Sequence, residues 1–446
     1  MICRDARMAA LLALSKAASE QIFIDNALHI VLEECSLEER DAALASHICF
    51  GVVQNKLYLD YILAHFASGN YKKLHPTVKD ILRIGAYQII FLDKIPPSAA
   101  VNTAVTLCKW TKKGFAAGLC NALLRKVVQN KDALPAVVAA REIDRLSIRY
   151  SVPIELAERF HTLLGDQAAQ TEAFFAAQND IVPITIVTNR ALCDPQTLAA
   201  SLHAQGVSAQ HVPGLPDALV LQNPGRLDRL TAFTEGLFFV QDAASQLAVL
   251  AADLQPGERV LDLCAAPGGK SFYSAQQVGV TGHVQSFDVA AYKIDAMEKS
   301  KKRLRHDNMT LAVQDACVLQ PQLKDSADVV LCDLPCSGLG IVRKKPDIRY
   351  KDLAQQAHLP ALQQSILRNA AQYVKPGGRL IYSTCTLLPE ENENNVAQFL
   401  QDFPAFHLEP FSLDFEGVDA PEGMLTLYPH IHGTDGFFIS KLRRRV

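Results

Sequence analysis

The chain reads RVLDLCAAPGGKS over residues 259–271, and this stretch decides the fold class of its C-terminal part. Residues 259–263 have the pattern of a buried β-strand. The small residues that follow allow the backbone to pass close to a ligand, and Gly268 and Gly269 begin a helix. In open α/β sheets, ligands bind where the strands end at their carboxyl edge. The stretch therefore predicts a strand, a ligand-binding loop and a helix of an α/β domain.

The loop between this strand and this helix departs from two common nucleotide-binding motifs. A P-loop requires G-x-x-x-x-G-K-S/T, and Gly269, Lys270 and Ser271 match its end. Its first glycine would occupy position 264, where the chain has Cys264, so a P-loop and an NTP-dependent RNA enzyme are disfavoured. A G-x-G-x-x-G dinucleotide fingerprint is also absent. A tight turn with only a structural role remains the alternative to a ligand-binding loop.

Strands and helices alternate from Phe238 onward, which predicts a parallel sheet. The other predicted strands are 283–288, 311–314, 329–333 and 380–383. Asp288 ends the second strand and either binds ribose hydroxyls or caps the next helix. Asp315 follows the third strand and accepts a hydrogen bond either from an adenine amino group or from a backbone amide. Together with Asp262, these acids predict a nucleoside pocket without a triphosphate clamp.

Two cysteines lie in the loops after the fourth and fifth strands. The fourth strand leads into DLPCSG at 333–338, and the fifth leads through YSTCT at 382–386. Cys336 and Cys385 therefore lie in polar loop sequence at the ligand-binding edge, and we expect them to take part in chemistry. Because the thiolate is the reactive form of cysteine, we expect these loops to lower the pKa of both thiols.

The cysteine pattern points to reduced thiols. The chain has eleven cysteines, an odd number, and no C-x-x-C pair. This disfavours a disulfide framework and a zinc ribbon, so we expect no metal site. Cys49, Cys108 and Cys120 are expected to be small apolar core residues, the usual role of a buried cysteine.

The N-terminus resembles a signal peptide only briefly. Arg4 and Arg7 precede an apolar run at residues 8–14, but Lys16 ends it and an amphipathic helix pattern continues. The chain contains no run of eighteen apolar residues. These features predict a cytoplasmic protein that does not span a membrane.

The length of 446 residues predicts about three domains. We place an all-α helical bundle at residues 1–142, linker helices with a small α+β module at 143–236, and the α/β domain at 237–446. In the first domain, apolar residues at three- and four-residue steps predict helices at 9–32, 42–63, 78–91 and 100–107. In the second, the predicted elements are helical residues 146–177, strand 184–188, helix 195–205 and strands 207–211 and 218–221.

The charge is nearly balanced overall but uneven along the chain. The formal net charge of −3 disfavours a protein that binds nucleic acid through bulk positive charge. Residues 72–131, here called the basic stretch, nevertheless contain eleven basic residues against Asp80 and Asp93. Solvated helix faces explain any single lysine, but the whole stretch favours an anionic partner. Residues 299–305, on a predicted helix, are expected to be a solvated face.

The motifs at 262–270, 333–338 and 383–386 resemble those of the Nol1/Nop2/Sun family. Its members are S-adenosylmethionine-dependent RNA cytosine-C5 methyltransferases, and the similarity is greatest to the bacterial Sun/Fmu type, which methylates 16S ribosomal RNA. Those enzymes carry an N-terminal NusB-like RNA-binding domain, which residues 81–87 and 121–125 resemble. The resemblance spans essentially the whole chain and implies a Rossmann-like catalytic domain.

The resemblance implies chemical roles for three residues. Cys385 is implied to be the nucleophile that attacks cytosine C6, so that C5 can take a methyl group from S-adenosyl-L-methionine. Cys336 is implied to release the methylated product. Asp333 is implied to hydrogen-bond the N3 and amino edge of a cytosine taken out of its stack.

The resemblance also implies binding residues. The implied cofactor-binding residues are Cys264, Ala265, Ala266, Pro267, Gly268, Gly269, Lys270, Asp288, Asp315 and Asp333. Lys270 either places a cation near the site or faces water at a helix start. The basic runs of the sequence indicate the RNA-binding residues, which are Lys109, Lys112, Lys113, Arg125, Lys126, Arg343 and Lys344, with Lys345, Arg349, Lys351 and Arg443, Arg444 and Arg445 as further contacts. Leu334 stands where the family usually has Ala, and we expect it to narrow the loop beside the target base.

These features predict one partner and leave one alternative function. The predicted partner is 16S ribosomal RNA, naked or in an early assembly intermediate, bound by a monomer without contact to DNA or membranes. The alternative is a non-catalytic RNA-binding or antitermination-like factor with a degenerate methyltransferase domain. The complete loop at 262–270 and the intact pair of Cys336 and Cys385 count against that alternative.

Overall fold

The structure, a computed structural model, describes residues 5–446, and the chain divides into two compact units. Unit 1 contains the chain up to Asp180 together with Val342–Lys351, and unit 2 contains Ile181–Ile341 and Asp352–Val446. Cys3 and Arg4 lie outside the described residues. Among the described residues, no helix is long and apolar enough to cross a membrane.

The regular elements of unit 1 are helices. They are α1 (Ala6–Glu20), α2 (Ile24–Glu34), α3 (Glu39–Gln54), α4 (Lys56–Phe66), α5 (Pro76–Phe91), α6 (Pro97–Trp110), α7 (Ala117–Gln129), α8 (Glu142–Tyr150), α9 (Ile154–Leu163) and α10 (Ala168–Ala177). The predicted helix at 9–32 is two helices, because Gln21 takes a left-handed φ of 55° and ends α1. Residues 146–177 are likewise interrupted, by Ser151 at φ 56° and by Asp166 at φ 57°. Helix α7 was not predicted.

The apolar run near the N-terminus forms part of the core of unit 1. Helix α1 begins at the N-cap Asp5, whose side chain accepts hydrogen bonds from the amides of Arg7 and Met8. Ala9, Ala10 and other small residues of α1 are fully buried. Cys49, Cys108 and Cys120 are buried in the same core, as predicted. The packed face of α1 therefore accounts for the sequence that resembles a signal peptide.

Unit 2 begins with a small sheet. Its elements are β1 (Ile184–Thr188), α11 (Pro195–Ala204), β2 (Ser208–His211), β3 (Ala218–Gln222), α12 (Thr231–Thr234) and β4 (Phe238–Val240). The four strands are antiparallel in the order β2-β3-β1-β4. This is the small α+β module predicted from the sequence, with β4 as an additional strand.

The remainder of unit 2 is a larger sheet with its covering helices. Its elements are α13 (Ala243–Ala251), β5 (Arg259–Asp262), α14 (Gly269–Val278), β6 (His283–Asp288), α15 (Ala291–Leu304), β7 (Met309–Val313), β8 (Ala327–Asp333), α16 (Leu359–Tyr373), β9 (Val374–Thr384), α17 (Glu393–Asp402), β10 (Phe406–Leu408), β11 (Phe411–Ser412), β12 (Asp419–Ala420), β13 (Met424–Leu427), α18 (Pro429–His432) and β14 (Phe437–Arg444). Strands β11 and β12 form a separate pair.

The strand order of the larger sheet is β10-β14-β9-β8-β5-β6-β7, with β13 also paired to β14. The five strands β9, β8, β5, β6 and β7 are parallel, as predicted. Strands β10, β13 and β14, which were not predicted, extend the sheet by antiparallel pairing. Strand β14 follows β13 after one short helix, too short a connection for a parallel crossover.

The topology of the parallel strands locates a crevice. From β5 the chain builds β6 and β7 on one side and then returns to build β8 and β9 on the other. Ligands of open α/β sheets bind beyond the carboxyl ends of the strands at such a reversal. The loops after β5 and β8 lie at this position, and they contain the motifs at 262–270 and 333–338.

Candidate active site

The loop after β5, residues 264–270, is here called the glycine loop. The Ala265 amide donates to the Phe287 carbonyl at 2.8 Å, and the Gly268 amide donates back to the Ala265 carbonyl at 2.8 Å. Gly268 has a φ of 107°, and a Cβ at this position would lie 2.6 Å from the ring of Phe272. Only glycine fits here, since both the backbone conformation and the close approach exclude a side chain. The loop thus forms a backbone cradle that leads directly into α14.

Asp262 is buried beneath the glycine loop. Its Oδ2 accepts a hydrogen bond from Ser271 Oγ at 2.6 Å, and Ser286 Oγ donates to Ser271 Oγ at 2.9 Å. Its Oδ1 has no hydrogen-bond partner among the described residues. Burial and the nearby charge of Asp333 raise the pKa of Asp262 to about 7. The carboxyl group therefore carries a free acceptor at the crevice and titrates near neutral pH.

The raised pKa of Asp262 predicts a pH-dependent stability. Because the folded state holds this proton more tightly than the unfolded state, Asp262 lowers the stability progressively as pH rises from about 4 to about 7. The loss is on the order of 1 kcal/mol per pH unit in that window. Asp262→Asn should therefore gain urea resistance relative to wild type at about pH 8 and not at about pH 4. Equal differences in the urea midpoint at both pH values would contradict the assignment.

Three further features of the crevice fit a nucleoside cofactor. The carboxylate of Asp288 accepts from the Ala266 amide at 3.3 Å and from the Ala290 amide at 3.0 Å, so it joins the glycine loop to the start of α15. Val289, the next residue, is 68% exposed, which leaves an apolar surface beside this carboxylate. Gln241 is buried next to Gly269, and neither amide atom of its side chain has a partner among the described residues. The crevice thus combines a backbone cradle, an apolar surface and unused polar atoms.

Lys270 is buried and faces the site. Its Nζ donates to Asp333 Oδ2 at 2.7 Å and to Ser245 Oγ at 3.2 Å. Ser383 Oγ donates to the other oxygen of Asp333 at 2.9 Å. Of the two alternatives for Lys270, the structure therefore supports a cation at the site. The ends of β5, β8 and β9 are joined through Asp333, whose carboxylate is held in one orientation.

The two loop cysteines lie together. The Sγ atoms of Cys336 and Cys385 are 3.2 Å apart. We call these two residues the thiol pair. Strands β8 and β9 are neighbours, and two hydrogen bonds hold the loops that follow them. Ser337 Oγ lies 2.6 Å from Thr386 Oγ1, and the Gly340 amide donates to the Cys385 carbonyl at 2.9 Å.

The pKa expected for one member of the thiol pair is wrong. The hydrogen bond to Cys385, together with burial, raises the pKa of the Cys336 thiol well above its ordinary value. The raised pKa favours the protonated form of Cys336. Both thiols of the pair are partly accessible.

Sequence reasoning missed the side chains that support the thiol pair. Glu391 is buried and accepts from the Ser337 amide at 3.0 Å and from Gln363 Nε2 at 2.9 Å. Asn392 accepts from Thr384 Oγ1 at 2.6 Å and donates from Nδ2 to the Thr386 carbonyl at 3.0 Å. The polar run at residues 390–395, directly after the Cys385 loop, was the available signal. These groups fix the backbone on both sides of the two thiols.

Comparisons with known proteins agree with this architecture. The family described as 16S rRNA methyltransferase RsmB/F matches residues 249–443, the NusB family matches 4–129, and the Methyltr_RsmF/B-like ferredoxin-like domain matches 153–228. The "Probable ribosomal RNA small subunit methyltransferase B" of Synechocystis sp. is 32% identical over 98% of this chain and 99% of its own length. The chain belongs to the RsmB/F family.

Two further similarities extend over most of the chain. The ribosomal RNA small subunit methyltransferase B of Klebsiella pneumoniae is 31% identical over 92% of this chain and 91% of its own. The crystal structure of PH0851 is similar with a TM-score of 0.80 and 26% identity, over 98% of this chain and 99% of that chain. Membership of the RsmB/F family confirms the predicted resemblance, the fold class and the dependence on S-adenosyl-L-methionine.

In this RsmB/F chain, Leu334 departs from its predicted surroundings, and Asp315 takes one of its two predicted alternatives. Leu334 is buried in the apolar core of unit 2, so the expectation that it narrows the loop beside the target base is wrong. Its backbone amide donates to the Ser383 carbonyl at 3.1 Å, which turns the side chain of this strand-end residue into the core. Asp315 is exposed and accepts from the Cys317 amide at 2.8 Å, the second of the two alternatives for this residue.

The predicted RNA-binding residues of unit 1 differ in their exposure and in whether their side chains already have partners. Lys109, Lys112 and Arg125 are exposed, and Lys113 is partly exposed. Lys126 is exposed, but its Nζ donates to the Phe66 carbonyl at 3.0 Å. Within the basic stretch, Arg83 is committed to ion pairs with Asp60 and Asp80, each at 2.7 Å. Exposed basic side chains therefore lie around the end of α6 and on α7, and also at Lys72, Lys73 and Lys94.

In the segment Val342–Lys351, the position of Arg349 contradicts the prediction that this residue contacts RNA. Arg349 is only 2% exposed, and its guanidinium donates to the Tyr150 carbonyl at 2.9 Å and to Asn179 Oδ1 at 2.9 Å. It cannot contact RNA, so that expectation is wrong. Lys345 pairs with Asp25 at 3.0 Å, while Arg343 and Lys344 belong to the same segment of unit 1.

Two of the C-terminal arginines already have partners in unit 2. Arg443 pairs with Glu409 and also donates to the Gly377 carbonyl at 2.7 Å. Arg444 pairs with Asp325 at 2.5 Å. Both side chains are thus held by contacts of the sheet, whereas Arg445 follows the end of β14.

Proposed function

We propose that this chain methylates C5 of a specific cytosine in 16S ribosomal RNA through a covalent adduct between Cys385 and cytosine C6. The observation that supports the proposal most strongly is the thiol pair, with 3.2 Å between its sulfurs. The pair lies beside the cofactor crevice, because Ser383 and Lys270 both contact Asp333. This arrangement supports a proposal in which Cys385 is the nucleophile and Cys336 the proton-bearing group beside the methyl donor.

The chemistry begins at Cys385. Cytosine C5 is a poor nucleophile, but addition of the Cys385 thiolate to C6 moves electron density to C5. S-adenosyl-L-methionine, when bound, supplies an electrophilic methyl group on its sulfonium. As C5 forms its bond to the methyl carbon, the bond from that carbon to the sulfonium sulfur would break and leave a neutral thioether. Loss of the C5 proton to water and cleavage of the bond between Sγ and C6 then restore the aromatic ring. The thiolate of Cys385 is regenerated in the same step.

Cys336 is proposed to act in product release. It is the titratable group in direct contact with Cys385 Sγ, and the environment that raises its pKa keeps it as a neutral thiol. A neutral thiol donates a hydrogen bond to the sulfur that leaves C6, which stabilises the developing thiolate. The same property argues against Cys336 as the attacking group.

Asp333 is proposed to orient the target base, and Lys270 is proposed to provide a positive charge next to the Asp333 carboxylate. Both oxygens of Asp333 already accept hydrogen bonds, from Lys270 and Ser383, so the carboxylate has a fixed orientation before the base enters. A fixed carboxylate can accept from the cytosine amino group, which orients C6 relative to Cys385. Lys270 also provides a positive charge that is buried next to this carboxylate.

S-adenosyl-L-methionine is proposed to bind along the crevice at the ends of β5, β6, β7 and β8. The residues that would hold it are those of the glycine loop, Cys264, Ala265, Ala266, Pro267, Gly268, Gly269 and Lys270, together with Asp288, Asp315 and Asp333. We add Gln241, because its buried amide has unused hydrogen-bonding atoms beside Gly269. Burial and the charge of Asp262 raise the pKa of the Cys264 thiol, so this residue contributes a neutral group.

RNA is proposed to bind through Lys109, Lys112, Lys113, Arg125 and Lys126 of unit 1, and through Arg343 and Lys344. We further propose a monomeric, cytoplasmic enzyme whose substrate is naked 16S RNA or an early assembly intermediate. The three-domain division at 1–142, 143–236 and 237–446 is kept as part of this proposal. It separates an RNA-binding part from the part that contains the glycine loop and the thiol pair.

The basic surface predicts a strong salt dependence of RNA binding. Replacing Lys109, Lys112 and Lys113 together by Ala should lower the slope of log K against log salt by about 2, because each phosphate contact contributes about 0.7–0.9. Binding of a 16S RNA fragment is measured by fluorescence anisotropy at several KCl concentrations. The matched control replaces Lys299, Lys301 and Lys302 of α15, which removes the same charge from a predicted solvated face. Equal slopes for the two triple variants would contradict the proposal.

The proposed function is tested by identifying the product nucleoside. The purified chain is incubated with S-adenosyl-L-methionine, labelled in its methyl group, and unmethylated 16S RNA, and the RNA is then digested to nucleosides. All label is expected in 5-methylcytidine. Label in any other nucleoside contradicts the proposed chemistry, and absence of label favours the non-catalytic RNA-binding alternative.

A further inference from the structure

Two large aromatic side chains are exposed at one turn of unit 1. The sequence KWTKKGF at residues 109–115 ends α6 and leads toward α7. Trp110, the only tryptophan of the chain, is 44% exposed, and Phe115 is 80% exposed. We call these two rings the aromatic patch. Two large aromatic rings exposed at one turn are typical of a surface that contacts a partner.

The turn that presents the aromatic patch is well anchored. The Lys113 amide donates to the Cys108 carbonyl at 2.7 Å across Lys112, which has a left-handed φ of 59°, as in a helix C-terminal capping motif. The Ala116 amide donates to the Lys113 carbonyl at 2.8 Å. Ala116 and Cys108 are buried beneath the turn. The rings are therefore held by a defined backbone, and little ordering is needed when a partner binds.

The charged residues that surround the aromatic patch in the sequence are all basic. Between Asp93 and Asp132 the chain has seven basic residues and no acidic residue. Lys109 precedes Trp110, and Lys112 and Lys113 lie between the two aromatic residues in the sequence. None of these lysines forms an ion pair within the described part of the chain. Phosphates and stacked bases of a single strand require this combination of cations and ring faces. The charge complementarity favours a polyanion over an apolar protein surface.

We propose that Trp110 and Phe115 stack against unpaired bases of the RNA substrate, while the neighbouring lysines bind its phosphates. The inference rests on the proposed function for the identity of the RNA, and it adds a preference for a single-stranded segment over a duplex. Every base has a ring face, so stacking supplies affinity with little dependence on sequence. Loss of one stacked base corresponds to about a 10-fold loss of affinity.

Because the chain has a single tryptophan, its fluorescence reports directly on RNA binding at Trp110. Titration of the full chain with a single-stranded 16S RNA fragment should quench the Trp110 fluorescence, and a duplex of the same sequence should quench it less. By anisotropy of labelled RNA, Trp110→Ala and Phe115→Ala should each bind about 10-fold more weakly. Trp110→Phe should retain most of the affinity, because a ring face is kept. Leu12→Ala, which removes a 43% exposed apolar side chain from α1, is the matched control and should bind like wild type.

The outcomes separate this inference from the proposed function. Circular dichroism melting first establishes that each variant is folded, and variants that are not folded are replaced by Trp110→Gln or Phe115→Gln. Unquenched fluorescence with unchanged affinity of the folded Trp110 and Phe115 variants would overturn the inference and assign the patch to a protein partner. If the RNA quenches Trp110 but no 5-methylcytidine forms, the stacking inference stands and the proposed function fails.

Discussion

Replacement of Cys385 by Ala is expected to abolish methyl transfer to 16S RNA while binding of S-adenosyl-L-methionine is retained. Without the thiolate, C6 has no nucleophile and C5 stays unreactive, so kcat/KM should fall by about 10³-fold or more. Among the described residues, no hydrogen bond joins the glycine loop or Asp288 to this side chain, and the change to Ala removes only the sulfur atom of a residue that packs against the core of unit 2. Methyl incorporation measures the first effect, and calorimetric titration with S-adenosyl-L-methionine measures the second.

Two control variants make this experiment specific for the nucleophile. Cys385→Ser keeps nearly the same shape but carries a hydroxyl group, which is a much weaker nucleophile than a thiolate, and should be nearly as inactive as Cys385→Ala. Cys193→Ala removes a partly buried thiol elsewhere in unit 2, whose Sγ lies 3.8 Å from the Leu237 carbonyl, and should retain activity. Turnover by Cys385→Ala at the rate of Cys193→Ala would remove Cys385 from the mechanism.

Replacement of Cys336 by Ala is expected to trap the reaction after attack. The variant keeps the nucleophile but loses the protonated sulfur 3.2 Å from it, so cleavage of the bond to C6 is slowed. A covalent complex of protein and RNA should accumulate to a large fraction of the enzyme. It is detected as a band of labelled RNA that migrates with the protein on a denaturing gel and disappears after protease treatment.

The double variant identifies the attacking sulfur. Cys336→Ala combined with Cys385→Ala should form no covalent complex, because the adduct requires Cys385. If Cys336→Ala turns over freely and forms no complex, Cys336 has no role in release. A complex that persists in the double variant would show that another residue attacks the RNA.

The parallel part of the sheet and the presence of the two cysteine loops could be predicted from local sequence. Strand β6 has the predicted bounds, His283–Asp288, because it lies between Gly282 and the start of a helix, and such boundaries are local signals. The antiparallel strand β14 was missed because its polar residues are buried. Lys441 is only 4% exposed and pairs with Glu409 at 3.0 Å, a partner that is distant in sequence.

The finer arrangement of the candidate site depends on contacts between distant residues. The distance between Cys336 and Cys385 follows from the adjacency of β8 and β9, which only the sheet order establishes. Gln241 is a polar residue in ordinary sequence surroundings, and the polar run that contains Glu391 does not by itself show which of its members is buried; both burials become visible only in the folded chain. Arg349 was misassigned for the same reason, since its carbonyl partners lie about two hundred residues away in sequence.

The central claim is that the methyl group replaces the hydrogen on C5 of a cytosine. RNA transcribed with [5-³H]cytidine releases tritium into water only if this C–H bond is broken, and methylation at a ring nitrogen, the amino group or the ribose leaves the tritium in place. The wild-type chain should release one tritium for each methyl group transferred, and Cys385→Ala should release none. Methyl transfer without tritium release would contradict the claim.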